Sequence, residues 1–248
     1  MTTRVVDPSW PRRAAVQAAP LEMVFKSRDA WQAGLRQYVL PLECGVADPQ
    51  SFQCNAVVGR LRGNAVAELR VDASRLVRRA GHLIEDECER VKIVWLLAGR
   101  SRVRQGPNNA TIEAGGWSVF DPGREYAIEL DNGSRVLLFL VPRSQCPGWL
   151  PTLNVLSARA LQAGGPAHIA AACLSAMLRD VVPLDAESER TLHESVVALI
   201  RTIPISAQQS KDAAQNGKGY RLPFDILKPS TLTRLVPESE FPSPATNS

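Results

Sequence analysis

The sequence predicts an α+β protein in which an antiparallel β-rich part precedes a helical hairpin. Short β-prone segments recur from about residue 41 to 142, and turn-forming sequences such as GPNN and DNGS separate them. After Pro142 the pattern changes to two amphipathic stretches that prolines bound. Many short strands at regular spacing are typical of a β-sandwich or β-barrel, and two helices joined by a short link form a hairpin.

The composition is that of an ordinary globular protein, with 45% hydrophobic and 22% charged residues among 248. The net charge of +4 is small and scattered, whereas a nucleic-acid surface needs clustered basic side chains. The longest apolar runs have strand length, which is too short to span a membrane. Five cysteines without a CxxC pair indicate reduced thiols. We therefore expect a cytoplasmic protein without a membrane segment.

The first elements are a flexible leader over residues 1–26 and a helix. The leader contains three prolines and no sustained periodicity. Ser27 can cap the helix, in which Trp31 and Leu35 follow the helical period, and Pro41 ends it.

The β-rich part is expected over residues 41–142. Its strands alternate in character, as in Val91, Ile93 and Trp95 on one face against Lys92 and Val94 on the other. The intervening turns contain Gly, Asn, Asp and Pro, which suit chain reversal between antiparallel strands.

The helical part is expected over residues 143–204. Its first long helix starts near Pro166, ends before Pro183 and carries an apolar stripe of Ile169, Cys173, Met177 and Val181. Asp185 can cap the second helix, and Pro204 is expected to end it. Residues 205–248 are rich in Gln, Asn, Ser and Pro, which predicts a disordered tail.

The stripe of the second helix has two interpretations. It either packs on the β-rich part or forms a seam with a second copy, since its spacings of four, three and four suit knobs-into-holes packing. The stripe consists of Leu192, Val196, Leu199 and Ile203.

Several segments stand out by their order and spacing along the chain. They are RLVRRAGHLIEDE, VKIVWLLAGRSRVRQ, IEAGGWSVFDPGREYAIEL and SRVLLFLVPRSQC, with an opening helix around Trp31. From Trp31 to about Ile203, roughly 170 residues, the chain resembles the amino-terminal effector-binding domain of AraC-type transcriptional regulators.

The resemblance implies a cupin-like antiparallel β-barrel of jelly-roll type that holds a small effector, within a sensor domain over residues 27–204. It also implies that the helical part mediates dimerisation and that a DNA-binding module of two helix-turn-helix units follows. Only 45 residues follow Ile203, whereas such a module needs on the order of 100. We therefore expect a regulator that lacks its own DNA-binding module and does not bind DNA specifically. We expect it to form a homodimer, or a heterodimer with a full-length relative.

Candidate effector-lining residues are the large or polar side chains of the barrel strands. Each has the alternative role of simple core packing. If Arg79 points inward, its buried positive charge would indicate an anionic effector. An ion pair with Asp121 or Glu125 would compensate that charge equally well. The candidates are Arg79, His82, Trp95, Trp117, Phe120 and Tyr126.

Catalytic and metal-binding signatures are lacking in the sequence. The histidines at 82, 168 and 193 are far apart, and neither an HxH pair nor a GxSxG motif occurs. The acidic run at 85–89 is interpreted as a solvated turn. We expect a non-enzyme without cofactor or metal; the alternative is a small cupin-fold enzyme or metal-binding protein that uses His82 and nearby carboxylates.

Overall fold

A computed structural model describes residues 19–82, 88–161, 164–180 and 184–215, with side chains up to residue 202. The chain divides into two units, residues 1–208 and 209–248, and the described part of the second is only the helical stretch to Gln215.

The described residues form two antiparallel sheets. The six-stranded sheet has the order β1-β3-β4-β11-β6-β9, and the five-stranded sheet has the order β2-β5-β10-β7-β8. The strands are β1 Leu21–Phe25, β2 Glu43–Val46, β3 Cys54–Leu61, β4 Asn64–Val71, β5 Ser74–Arg78, β6 Arg90–Ala98, β7 Arg100–Gln105, β8 Asn108–Glu113, β9 Trp117–Phe120, β10 Tyr126–Leu130 and β11 Ser134–Pro142. The predicted antiparallel β-structure followed by helices is thus confirmed.

The α-helices of the described ranges are α1 Arg28–Tyr38, α2 Leu153–Leu156, α3 Gly165–Arg179 and α4 Ala186–Gln215. Both predicted caps are present. The Ala30 backbone N–H donates to Ser27 Oγ at 3.3 Å, and the Ser188 backbone N–H donates to Asp185 Oδ1 at 2.7 Å. These bonds satisfy amide groups that a helix leaves unpaired at its first turn.

The β-structure begins earlier than expected. Strand β1 lies inside the predicted leader and pairs antiparallel with β3, where Phe25 meets Cys54. Phe25 is buried, and the centre of its ring lies 5.5 Å from that of Trp31, so β1 packs against α1. A five-residue segment is too short to show a clear periodicity in the sequence. The rest of the leader, residues 1–18, lies outside the described residues.

Helix α4 continues through Pro204, where the sequence predicted its end, as far as Gln215. A proline in a helix removes one hydrogen bond and causes a clash, but it does not always terminate the helix. Here the following Ala, Gln and Lys residues favour helix. Residues 205–215 of the predicted tail are therefore helical, and residues 216–248 lie outside the described part.

The apolar stripe of α3 agrees with the prediction in part, since Met177 is buried and Cys173 is partly buried against the same cluster. Ile169 is 51% exposed, whereas Ala170 and Leu174 are completely buried. The buried face also includes small alanines, so it is broader than the expected stripe and leaves Ile169 at its exposed edge. Val181 lies outside the described residues.

Two large hydrophobic clusters lie on opposite faces of the six-stranded sheet. One fills the space between the two sheets and includes α1; it is called the barrel interior below. The other lies between the six-stranded sheet and the helices that follow it; it is called the helix-side core. This sheet is therefore covered on both faces. That explains why strands β6, β9 and β11 carry mainly apolar side chains on both of their faces.

Candidate effector-binding site

Strand β6 contributes to both clusters because its side chains alternate across the sheet. Val94 and Leu96 belong to the barrel interior, and Ile93 and Trp95 belong to the helix-side core. Lys92 shares the phase of Val94 and Leu96, and its residue is only 2% exposed. A lysine is thus directed into the space between the sheets.

Phe120 and Tyr126, two of the candidate residues, face the barrel interior together. Phe120 ends β9 in one sheet and Tyr126 begins β10 in the other. Their ring centroids are 5.0 Å apart at an angle of 42°, and both side chains are buried. This tilted aromatic pair forms a wall that contacts both sheets.

The Lys92 ammonium group lies against these two rings. Its Nζ is 3.3 Å from the Tyr126 hydroxyl oxygen, 5.0 Å from the centre of the Tyr126 ring and 6.0 Å from that of Phe120. Burial, reinforced by the positive charge of Arg78, lowers the pKa of Lys92 to about 7. The interior therefore contains an amine that changes its charge near neutral pH.

Arg78 is a second cation inside the barrel, and its residue is fully buried. Its Nε donates to the Pro122 carbonyl oxygen at 2.8 Å, and one Nη donates to the Pro41 carbonyl oxygen at 3.1 Å. These bonds connect β5 to the segments before β2 and before β10. Arg78 thus has a structural role and also adds positive potential around Lys92.

Trp95 and Trp117 do not join Phe120 and Tyr126. They pair across β6 and β9 and lie in the helix-side core, where the Trp117 ring centroid is 6.5 Å from that of Trp149. Both are buried, but on the opposite face of the sheet from the barrel interior.

Arg79 and His82 lie at the surface end of the five-stranded sheet. Arg79 is exposed, not inward, and its Nε donates to Glu43 Oε2 at 2.6 Å; this bond lowers the pKa of Glu43. The expected carboxylates are used elsewhere, since Asp121 pairs with Arg143 and Glu125 accepts the Ala80 N–H. The half-buried ring of His82 accepts the Arg79 backbone N–H through Nδ1 at 3.2 Å.

The sequence interpretation missed Lys92 and Arg78. The signal for Lys92 was a charged residue within the run from Val91 to Ala98, whose other side chains are apolar on both faces of the strand, as expected for a sheet covered on both faces. The signal for Arg78 was its phase with Ser74 and Leu76, which places it inside and the adjacent Arg79 outside.

The helical stripe proposed for dimerisation contributes to the core of the chain itself. Val196 is fully buried in the helix-side core, and Leu192 and Leu199 are partly buried against it. The side chain of Ile203 lies outside the described residues.

The histidines do not converge on one point. His193 on α4 hydrogen-bonds Asn64 at 3.1 Å, His168 lies on α3, and His82 bonds the backbone. Within the described ranges, no group of three or more His, Cys, Asp or Glu side chains is placed to hold a metal ion. Residues 85–87 of the acidic run lie outside those ranges. Among the helices of the described part, none is long and apolar enough to cross a membrane.

Comparison with known proteins agrees with this architecture. A curated relative, the "Uncharacterized protein in nit 5'region" of Bacillus sp. (strain OxB-1), is 23% identical over 177 residues, which are 69% of this chain and 67% of the relative. The crystal structure of the AraC-like transcriptional activator CuxR superposes with a TM-score of 0.64 at 12% identity, covering 87% of this chain and 83% of that one. KdgF from Halomonas sp. is far more distant, with a TM-score of 0.31, 10% identity and coverage of 40% and 86%.

The family assignment rests on the greater part of the chain. Residues 31–203 match the AraC-binding-like domain, which agrees with the limits expected from the sequence. The two antiparallel sheets followed by helices have the same fold as the AraC-like activator. The chain therefore belongs to the AraC-binding-like domain family and has its cupin-like fold.

Proposed function

We propose that this chain is an effector-sensing module of transcription regulation that binds a small molecule in the barrel interior, without catalysing a reaction. The observation that carries the proposal is the buried group formed by Lys92, Phe120 and Tyr126 inside a domain of the AraC-binding-like family. Small-molecule sites combine apolar and aromatic walls with a few polar anchors, and this group has that composition.

The six-stranded sheet offers a route by which a bound effector can act on the helices. Lys92 and Trp95 lie on opposite faces of β6, so a shift of this strand changes both the barrel interior and the helix-side core. Closely packed interiors transmit such shifts because they cannot deform continuously. In this proposal the effector signal reaches α3 and α4 through β6 and β9.

A thermal-shift screen of small molecules against the purified chain tests the proposal. A compound that binds the folded state raises the melting temperature by mass action. Tyr126→Phe, which removes one hydroxyl from the interior, should weaken a true interior ligand by about tenfold, equivalent to about 1.4 kcal/mol.

The matched control is Trp95→Phe, because it changes an aromatic side chain on the other face of β6. This variant should bind the same compound with affinity within about threefold of the parent, as expected for a site that Trp95 does not contact. Ligands whose affinity is insensitive to Tyr126→Phe would contradict an interior site.

We further propose that the module acts in the cytoplasm as a dimer, formed with a second copy or with a full-length relative. Because Val196 is used within the chain, the contact surface is narrower than the sequence stripe. It comprises the partly exposed flanks of Leu192 and Leu199 on α4. These two residues are seven positions apart and therefore lie on the same side of the helix.

A further inference from the structure

Lys92 is a buried cation without an acidic partner among the residues that the structure describes. Its Nζ contacts are the Tyr126 hydroxyl and the faces of two aromatic rings. The charged and titratable groups that act on it are the Arg78 guanidinium from β5, the Cys44 thiol from β2 and the Tyr126 phenol from β10. None of these supplies a negative charge at neutral pH, since burial raises the pKa of Cys44 to about 12.

A buried amine in this environment weakens the fold. Removing a charge from water without a counter-ion is unfavourable, and an apolar residue of the same size would pack beside Phe120 and Tyr126 without that penalty. Arg78 is fixed by the carbonyl groups of Pro41 and Pro122, but Lys92 has a single side-chain hydrogen-bond partner among the described residues. An ammonium group has three donors, so two remain for a ligand.

We propose that Lys92 and Tyr126 together anchor a carboxylate group of the effector, whose apolar part packs against Phe120. This inference rests on the function proposed above and specifies the effector as a small organic acid. The carboxylate supplies the negative charge that no described residue provides beside Lys92. It accepts hydrogen bonds from both Nζ and the phenol, and charge-assisted bonds of this kind are the stronger ones in a dry site.

Proton uptake is the distinctive consequence of this arrangement. The free protein holds Lys92 largely neutral above pH 7, whereas a bound carboxylate favours the ammonium form. Binding at pH 8 should therefore take up close to one proton for each acid bound. The affinity for the acid should fall by up to about tenfold for each pH unit above 7, as linkage requires.

The experiment uses calorimetric titration of the purified full chain with acetate, hexanoate, benzoate and indole-3-acetate, each compared with its amide. Titration at pH 8 in two buffers of different ionisation enthalpy gives the number of protons taken up. We expect at least one acid to bind tenfold or more tightly than its amide, with proton uptake. Lys92→Met should remove both the preference and the uptake, whereas Lys26→Met, at an exposed lysine, should change neither.

Tyr126→Phe provides a second test in case Lys92→Met does not fold. It should reduce the preference for the acid by about threefold to tenfold while leaving proton uptake in place, because Lys92 is retained.

The outcomes separate this inference from the function on which it rests. Binding of amides or other neutral compounds in the barrel interior without any preference for acids would overturn the carboxylate site and leave the sensor function intact. An acid preference that persists in Lys92→Met would also overturn it. If no small molecule binds the interior at all, the sensor function fails, and the carboxylate site fails with it.

Discussion

Lys92 couples the protonation of one side chain to the stability of the whole barrel. Its pKa is lowered from 10.5 to about 7 in the folded protein, so between these values the unfolded chain binds the proton more tightly. Stability must then rise with pH above about 7, while below pH 7 both states are protonated and the penalty is constant. The sign is opposite to that of a lysine held in a salt bridge.

We predict that the free energy of unfolding increases by about 1 to 2 kcal/mol between pH 7 and pH 8.5, measured by urea denaturation. The range stops at 8.5 because buried thiols act in the other direction at higher pH. Burial raises the pKa of Cys146 to about 11, so its ionisation in the unfolded chain reduces stability there.

Two matched variants assign this pH dependence to one amine. Lys92→Met should be at least as stable as the parent at pH 7, and its free energy of unfolding should not increase between pH 7 and pH 8.5. Lys26→Met should show the same increase as the parent. An equal increase in the parent and in Lys92→Met would contradict the assignment.

Gln105 connects the end of β7 to the turn between β9 and β10. Its amide nitrogen donates to the Asp121 carbonyl oxygen at 2.8 Å, and its amide oxygen accepts the Asp121 N–H at 2.9 Å. Both groups of the buried Gln105 side chain are thus used by the backbone of one residue. This explains physically why a strand ending in Gln precedes the Asp-Pro-Gly turn.

We predict that Gln105→Ala lowers the free energy of unfolding by about 1 to 3 kcal/mol, because it leaves the buried Asp121 N–H without its acceptor, whereas the Asp121 carbonyl oxygen still accepts the Arg124 N–H. The neighbouring exposed Asn109 on β8 provides the control, since Asn109→Ala should change stability by less than about 0.5 kcal/mol. Equal effects of the two substitutions in thermal or urea denaturation would refute this role of Gln105.

The candidate site was only partly predictable at this scale. Phe120 and Tyr126 could be selected as interior aromatics, but alternation alone cannot say which phase faces the other sheet when both faces are covered. For that reason Trp95 was an equally good candidate, although it lies in the helix-side core. Arg79 was chosen over Arg78 by an error of one residue, which in a strand moves a side chain to the opposite face.

At the scale of elements, the helices matter because they cover the outer face of the six-stranded sheet. Ile200 on α4 is fully buried in the helix-side core, whereas Ile169 on α3 is half exposed. The two isoleucines therefore provide a direct comparison of helix positions with the same side chain.

We predict that Ile200→Ala lowers the free energy of unfolding by about 2 to 5 kcal/mol, since it removes buried methyl groups and leaves a cavity. Ile169→Ala should change it by less than about 1 kcal/mol, because alanine favours helix and little apolar burial is lost. Urea denaturation of both variants decides the matter. A larger loss of stability for Ile169→Ala than for Ile200→Ala would contradict the burial of Ile200 and the exposure of Ile169.

The boundaries of elements were predictable where capping chemistry marks them. Ser27 and Asp185 marked two helix starts correctly, because a side-chain acceptor there satisfies free amide groups. Pro204 did not mark a helix end, since neighbouring helix-forming residues outweigh one lost hydrogen bond. Strand β1 was missed because its order comes from pairing with β3, a contact distant in sequence.

At the scale of the whole molecule, the arrangement of charge bears on contact with DNA. Many arginines of the described surface are paired with carboxylates, including Arg75 and Arg102 with Glu129 and Arg135 with Glu68. Paired cations release few counter-ions from a phosphate backbone, and the net charge of the chain is only +4.

We predict that the purified 248-residue chain binds DNA only weakly and without sequence preference. Its affinity should fall steeply between 50 and 200 mM salt, as for purely electrostatic binding. Fluorescence anisotropy with two duplexes of unrelated sequence measures both properties. A sequence-selective complex that survives 200 mM salt would contradict the prediction.

Dimerisation is the property on which the proposed regulatory role depends. If the flanks of Leu192 and Leu199 meet a second copy, Leu199→Glu should place a charge in the contact and separate the dimer, because an unpaired buried carboxylate is strongly unfavourable. Ala198→Glu adds the same charge one residue earlier, at an exposed position, and should leave the dimer intact. Light scattering after size exclusion at 10 to 100 µM gives the mass of each variant, and the near-ultraviolet circular dichroism confirms that Leu199→Glu remains folded. A parent chain that is already monomeric at these concentrations, or a folded Leu199→Glu dimer, would exclude this contact and with it the pairing with full-length relatives through α4.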